Sequence, residues 1–516
     1  MKTLKKITIM PVWVLRMAFR SLLIISIPVL LLSGFSGNGS ALTEGKLKIG
    51  WAMEDITPVG PVSLHGQYYE RISTHVQSPL KVTAIAIESI DESGQKEQAV
   101  MVSLDVINIQ KPLQDAIRNS IREEIPGFDV DKLFLNATHT HSAPNPDANS
   151  EFGKLLVERS SAAVIHAWTN RKPAGISRAL GYTSVGHNRR VQYTDGTAQM
   201  YGSTDREDFL GMEGTSDPGV DMLYCWDHNN KLTGIILNVT CPAQVTEAKY
   251  FVSADYWGEL RRELANRFSE DVLIFPLCGA GGDISPRDLP RGYKSGEPNM
   301  WDIDGAVEIG KRLAGLIDDT YPDARKAIQW DVVFNHTVRH IDLPTRKYTE
   351  EEYKEALMVA KEIRSREPVD SGFPSVAWNN FLKEIKENEK TKEYGPWDNK
   401  LTDWGQIRKK EALITQYKNQ ENDPYCEMEL HVIRLGDVAF ASNPFELYVD
   451  YGFRIKGRSK AKQTFIIQLC SGHEGYLPTK KAILGGGYSA MVNRVGPEGG
   501  QVLVNKTVDE INALWE

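Results

Sequence analysis

Lys132-Leu133-Phe134-Leu135-Asn136-Ala137-Thr138-His139-Thr140-His141 is the stretch on which the reading of the fold turns. Its first half is a short apolar run of strand length. It follows a helix-like stretch, Pro112 to Ile125, which itself follows the strand-like Ala99-Val100-Met101-Val102-Ser103-Leu104. Strand, helix, strand is the order of an α/β layer. A polar His-x-His motif then stands where the last strand ends, and ligands in open α/β sheets gather beyond strand ends.

The same grammar recurs outward from this point. Thr233 to Val239 runs into Cys241-Pro242-Ala243-Gln244, and Val272 to Pro276 runs into the glycine-rich Cys278-Gly279-Ala280-Gly281-Gly282-Asp283. Upstream, Val82 to Ile87 reads as a strand; downstream, Glu429 to Leu435 and Val438 to Ala441 do so as well. Trp257 to Phe268 reads as a helix with its charges on one face. The expected fold class is α/β, a mixed β-sheet core with flanking helices. Residues 42–516 read as one catalytic domain, interrupted at about 345–425 by a charged helical insertion whose low apolar content argues against an independent core.

Residues 1–41 read as a signal peptide. Lys2, Lys5, Lys6, Arg16 and Arg20 precede the apolar run Leu22 to Leu32, and Gly39-Ser40-Ala41 offers small residues for cleavage. That run is short against the roughly 20 residues a membrane span needs, so a periplasmic or secreted protein with no stable membrane span is expected. The chain has 516 residues, 41% hydrophobic and 25% charged, with a formal net charge of -8. This is the composition of a folded globular protein and leaves no basic footprint for nucleic acid. Five scattered cysteines without CxxC spacing indicate neither a disulfide scaffold nor a thiolate zinc cluster.

His139 and His141, one residue apart, would point to the same side in extended chain and could address one site. At Asn443-Pro444-Phe445-Glu446 a strand ends and the proline is expected to open a helix carrying Glu446 in its first turn. That carboxylate would complement the helix N-terminus or complete a metal site. Gly281-Gly282-Asp283-Ile284-Ser285-Pro286 brings a carboxylate and a hydroxyl into a turn that needs glycine freedom. It reads equally as a cap for a following helix.

Taken in order, these pieces resemble the catalytic domain of the neutral/alkaline, non-lysosomal ceramidases. The resemblance starts at Gly50-Trp51-Ala52-Met53-Glu54-Asp55-Ile56-Thr57-Pro58 and continues through Asn136 to Pro144, His187-Asn188-Arg189 and Gly282 to Pro286. It ends with Glu446 and the pair Tyr476 and Tyr488, so a divergent member lacking the family's additional C-terminal immunoglobulin-like domain is expected. The resemblance implies a Zn2+ ion held by His139, Glu446 and Tyr476, with Cys241 standing where the family has a second zinc histidine. It further implies that His141, Arg189 and Tyr488 surround the substrate carbonyl and that Ser285 matches the family's GDxSP serine. The implied activity is hydrolysis of an N-acyl amide by metal-activated water.

Cys241 leaves two readings open. A thiolate would keep a tetrahedral zinc site while softening it; an inert buried thiol would leave His187 or His65 to supply a nitrogen. The substrate is open too. The family implies a lipid, whereas His141, Asp283, Arg189, Glu474 and Tyr488, in a chain with 11 Trp and 19 Tyr, would suit a glycan. A binding protein that has lost its metal is the third reading.

Overall fold

The computed structural model describes residues 47–67, 70–90, 94, 96–365 and 403–516. The expected signal peptide, and residues 366–402 of the expected insertion, lie outside the described residues.

The strand Lys81–Ile90 shows how the layers are specified. Its Val82, Ala84 and Ala86 enter one apolar cluster and its Ile85 and Ile87 another, as two-residue alternation dictates. A strand apolar on both faces must be covered on both. On one side Leu156 and Val164 of the helix Glu151–Thr169, with Leu113 and Ile117 of Lys111–Ile121, share one apolar cluster with Val82 and Ala84. On the other side Ile433, Phe440 and Phe465, from a second sheet, meet Ile85, Ile87 and Met101.

The first sheet has eight strands in the order Leu273–Cys278, Leu232–Val239, Gly219–Asp227, Lys172–Tyr182, Leu47–Asp55, Lys81–Ile90, Lys96–Leu104 and Leu133–Ala137. Only its outermost pairs, Leu273–Cys278 with Leu232–Val239 and Lys96–Leu104 with Leu133–Ala137, are parallel. The helices Tyr256–Arg267 and Ile303–Lys326 cover the half containing Met222, Ile235 and Leu237. The second sheet has four strands, Phe334–Pro344, Tyr425–Leu435, Val438–Ser442 and Gln463–Ile467, again mixed. Its outer face, with Leu430, Val432 and Ala441, is closed by Leu503, Val504 and Ile511 of the helix Pro497–Ala513. The result is helix, sheet, sheet, helix in four layers, the mixed-sheet α/β class the sequence predicts.

Three local expectations are corrected. The helix predicted over 112–125 spans Lys111–Ile121. No helix opens at Pro444: Glu446 lies in the short strand Glu446–Leu447, paired in parallel with Tyr476–Leu477, and the helix starts at Val449. Nor is the His-x-His chain extended, since His139 has φ +66°. All five cysteines are buried and free. Among the described residues no helix is long and apolar enough to cross a membrane.

Candidate active site

Loops leaving the strand ends are stitched together by their backbones. Ala243 N donates to Thr138 O at 3.2 Å, Gly282 N to Leu447 O at 2.8 Å, Arg189 N to Asp283 O at 2.9 Å and Glu446 N to Gly475 O at 2.9 Å. Six segments far apart in sequence are tied together by these four bonds. Fully buried Arg71 clamps a further wall, donating to the carbonyl oxygens of His65, His141 and Lys249.

Here the side chains of His139, His141, Glu446, Arg189 and Tyr476 come together. His139 Nδ1 lies 2.6 Å from Ile107 O, so Nδ1 carries the proton and Nε2 keeps its lone pair. That Nε2 lies 3.5 Å from Glu446 Oε2 and 3.4 Å from His141 Nε2. A positive φ at a non-glycine residue costs energy and marks functional turns; at His139 it delivers the ring edge-on to His141, at 81° and 4.9 Å between centroids.

Arg189 is the hub of the other half. Its guanidinium donates to Gly282 O at 2.9 Å, Gln244 Oε1 at 3.1 Å, Tyr201 Oη at 3.2 Å and Tyr476 Oη at 3.3 Å. Tyr201 Oη in turn donates to Ser285 Oγ at 3.3 Å, so Ser285 joins the site through Tyr201. Tyr488 packs its ring against Tyr476 at 76° with centroids 5.9 Å apart. Asp283 instead holds the frame, accepting from Val449 N at 2.9 Å and Asn188 Nδ2 at 2.8 Å. It caps a helix, though the one beginning at Val449. Glu474 is tied to Arg494 at 2.9 Å.

Electrostatics sort the groups into roles. Burial pushes the pKa of His139 down and that of His141 well down, the latter with help from neighbouring His139, Arg71 and Arg189, so both rings are neutral acceptors. Burial alone would raise the Glu446 carboxyl; hydrogen bonding from His473 and electrostatic attraction to His139, His473 and Arg189 outweigh it and hold the group at about 2. Burial, reinforced by Glu446, pushes the Tyr476 phenol well up.

These donors suit a cation. Ligands at about 2.1 Å around a tetrahedral ion stand about 3.4 Å apart, close to the separation of His139 Nε2 from Glu446 Oε2, 3.5 Å. Among the described residues no three His, Cys, Asp and Glu side chains form a metal site by themselves; the Tyr476 phenol bears on Glu446 beside them. Cys241 is not brought to them. Its Sγ faces Val185 O at 3.7 Å within an apolar cluster, and burial pushes its thiol pKa well up. His187 stands apart as well, 3.8 Å from Asp288, whereas His65 bears electrostatically on His473.

Sequence reasoning missed four groups here. Gln244 enters the site from the turn whose Cys241 faces away, and His473 lies 3.8 Å from Glu446 Oε1. Tyr201 and Lys409 have no motif around them; only their contacts identify them. Gln244 alone left a signal, a polar residue in a turn after an apolar strand.

The fold defines the chain as a protein of the neutral ceramidase architecture. Neutral ceramidase from Pseudomonas aeruginosa superposes with a TM-score of 0.65 at 17% identity, over 92% of this chain and 75% of that one. A structure titled as ceramidase complexed with C2 gives 0.66 at 17% identity, over 91% and 75%. No family model matches the sequence, and no curated protein matches it.

Proposed function

We propose that this chain is an exported, zinc-dependent hydrolase of ceramidase type that cleaves an N-acyl amide with water. The observation that carries the reading is the convergence of His139, Glu446, Tyr476 and Arg189 in one buried polar cluster, on a scaffold shared with neutral ceramidase. His139, Glu446 and Tyr476 would hold the ion. When bound, it supplies Lewis-acid polarisation of the carbonyl and a water acidified toward neutral pH. Cys241 stays outside that donor set in this proposal.

The chain's own groups do the rest. Arg189 is permanently charged, and its buried Nε has no partner among the described residues; it is suited to hold the carbonyl oxygen as negative charge develops there. Tyr488, whose ring packs against Tyr476, would supply a further donor. His141, neutral through burial and held at Nε2 by the Gln244 amide, would stand beside the carbonyl as an uncharged polar wall.

The test is direct. Release of fatty acid from a fluorescent N-acyl sphingosine is measured on the purified protein, with metal content by mass spectrometry. His139→Ala and Glu446→Ala are expected to lose bound metal and turnover while keeping their circular dichroism. Full chelator-resistant activity in metal-free protein would rule the reading out.

A further inference from the structure

The helix Asp403–Asn419 belongs to the stretch read from sequence as a charged surface excursion. It docks on the helix Glu350–Arg364, where the Tyr353 and Tyr417 rings stack with centroids 4.4 Å apart at 14° and Lys410 pairs with Glu355 at 2.9 Å. Leu413 is buried beside Tyr348, Ala356 and Val492. Anchored in this way, the helix turns one charged side chain inward. Lys409 Nζ lies 4.8 Å from the Tyr488 ring centroid and 6.0 Å from that of Tyr476.

The charge balance of the pocket gives this placement its meaning. Arg189, 5.9 Å from the Tyr476 ring, and Lys409, 6.0 Å from it, are both cations addressed to one aromatic wall. Among the described residues the carboxylate that bears on Lys409 is Glu446, whose oxygens already face His139 at 3.5 Å and His473 at 3.8 Å. Ring faces restore only part of the hydration an ammonium loses on burial. An incoming oxyanion restores more, through a charge-assisted hydrogen bond.

We propose that Lys409 selects the substrate by receiving a carboxylate carried close to the scissile amide, which makes N-acylated amino acids the substrate class. The inference rests on the amide hydrolysis proposed above. It predicts a preference between two molecules that share an acyl chain and an amide and differ only in a terminal carboxylate or hydroxyl.

N-octanoylglycine and N-octanoylethanolamine are such a pair. Their affinities are measured by calorimetry, without reliance on turnover, for the metal-loaded full-length protein and for Lys409→Met and Lys409→Arg. The carboxylate is expected to bind about tenfold more tightly in the unaltered protein. The ratio falls to near one in Lys409→Met and is regained in Lys409→Arg. Equal affinities in the unaltered protein overturn the proposal, as does absence of binding. A ratio that survives in Lys409→Met overturns it too, because the lysine then only braces Tyr488. Turnover of the same pair is read separately. Lys409-dependent binding of the carboxylate with neither amide cleaved would remove the hydrolase reading and leave the selectivity of the pocket standing.

Discussion

Gln244 donates through Nε2 to His141 Nε2 at 2.7 Å. Its Oε1 is occupied by Arg189 at 3.1 Å, which fixes the orientation of the amide and makes His141 Nε2 an acceptor. One neutral side chain thus sets both the tautomer of the ring and the aim of the guanidinium.

Gln244→Leu is therefore expected to take from His141 Nε2 its donor and from Arg189 one of its four acceptors. The loss in kcat/KM should be about 10- to 100-fold, the usual effect of removing a partner that orients a site residue. Melting should move by no more than about 1–3 kcal/mol of stability. Steady-state kinetics with a thermal melt decides the matter, and wild-type turnover would remove Gln244 from the site.

Gly66 has φ +105°, and a Cβ there would stand 2.5 Å from His141 Nδ1. Gly66→Ala therefore combines backbone strain of about 1–3 kcal/mol with displacement of the ring. Gly60 supplies the control, with φ +80° and nothing within 4 Å of an added Cβ. Gly60→Ala should show the strain in its melting temperature and keep its turnover, whereas Gly66→Ala should lose both. Equal turnover in the two variants would mean that His141 tolerates displacement.

The layers were legible because alternation and strand-end motifs are local properties. Val82 to Ile87, Thr233 to Val239 and Leu133 to Ala137 each read locally as an apolar run of strand length, and each is a strand. The start of the helix after Pro444 was not legible, because the chain from Glu446 is held in a strand by Gly475 and Tyr476, about thirty residues away in sequence. Tertiary pairing overrides the proline signal there. Within the site, His139 and Glu446 were readable from motifs. The inward turn of Lys409 depends on packing between Tyr353 and Tyr417 that no window of sequence contains.

Away from the site, Glu429 accepts from Arg118 Nη2 at 2.7 Å and Gln114 Nε2 at 3.1 Å, and lies 2.6 Å from His431 Nε2. Both ends of the Arg118–Glu429 pair are largely buried, with side-chain exposures of 7% and 8%. Removing one partner strands the other, so Glu429→Ala should cost about 3–5 kcal/mol. Arg118→Met/Glu429→Leu should recover most of that loss, because no charge then remains buried. Urea unfolding of the single and double variants measures it. A double variant no more stable than Glu429→Ala would show that the hydrogen-bond network, and not the stranded arginine, sets the cost.

Asp283 makes a prediction of the opposite sign to the usual carboxylate. Burial pushes its pKa from 3.8 up to about 6, against the hydrogen bond from Val449 N and the charge of Arg189. The folded state then holds the proton more tightly than the unfolded state does. The stability this contributes is complete below about pH 4 and is lost as the pH rises through about 6, on the order of 3 kcal/mol in all. Asp283→Asn keeps an oxygen for Val449 N but does not ionise. Urea unfolding at roughly pH 4, 5, 6 and 7 should show the stability of Asp283→Asn gaining on that of the unaltered protein as the pH rises. Parallel pH profiles would mean that Asp283 titrates alike in the folded and unfolded chain, and that Asn188 and Val449 stabilise the carboxylate as fully as water does.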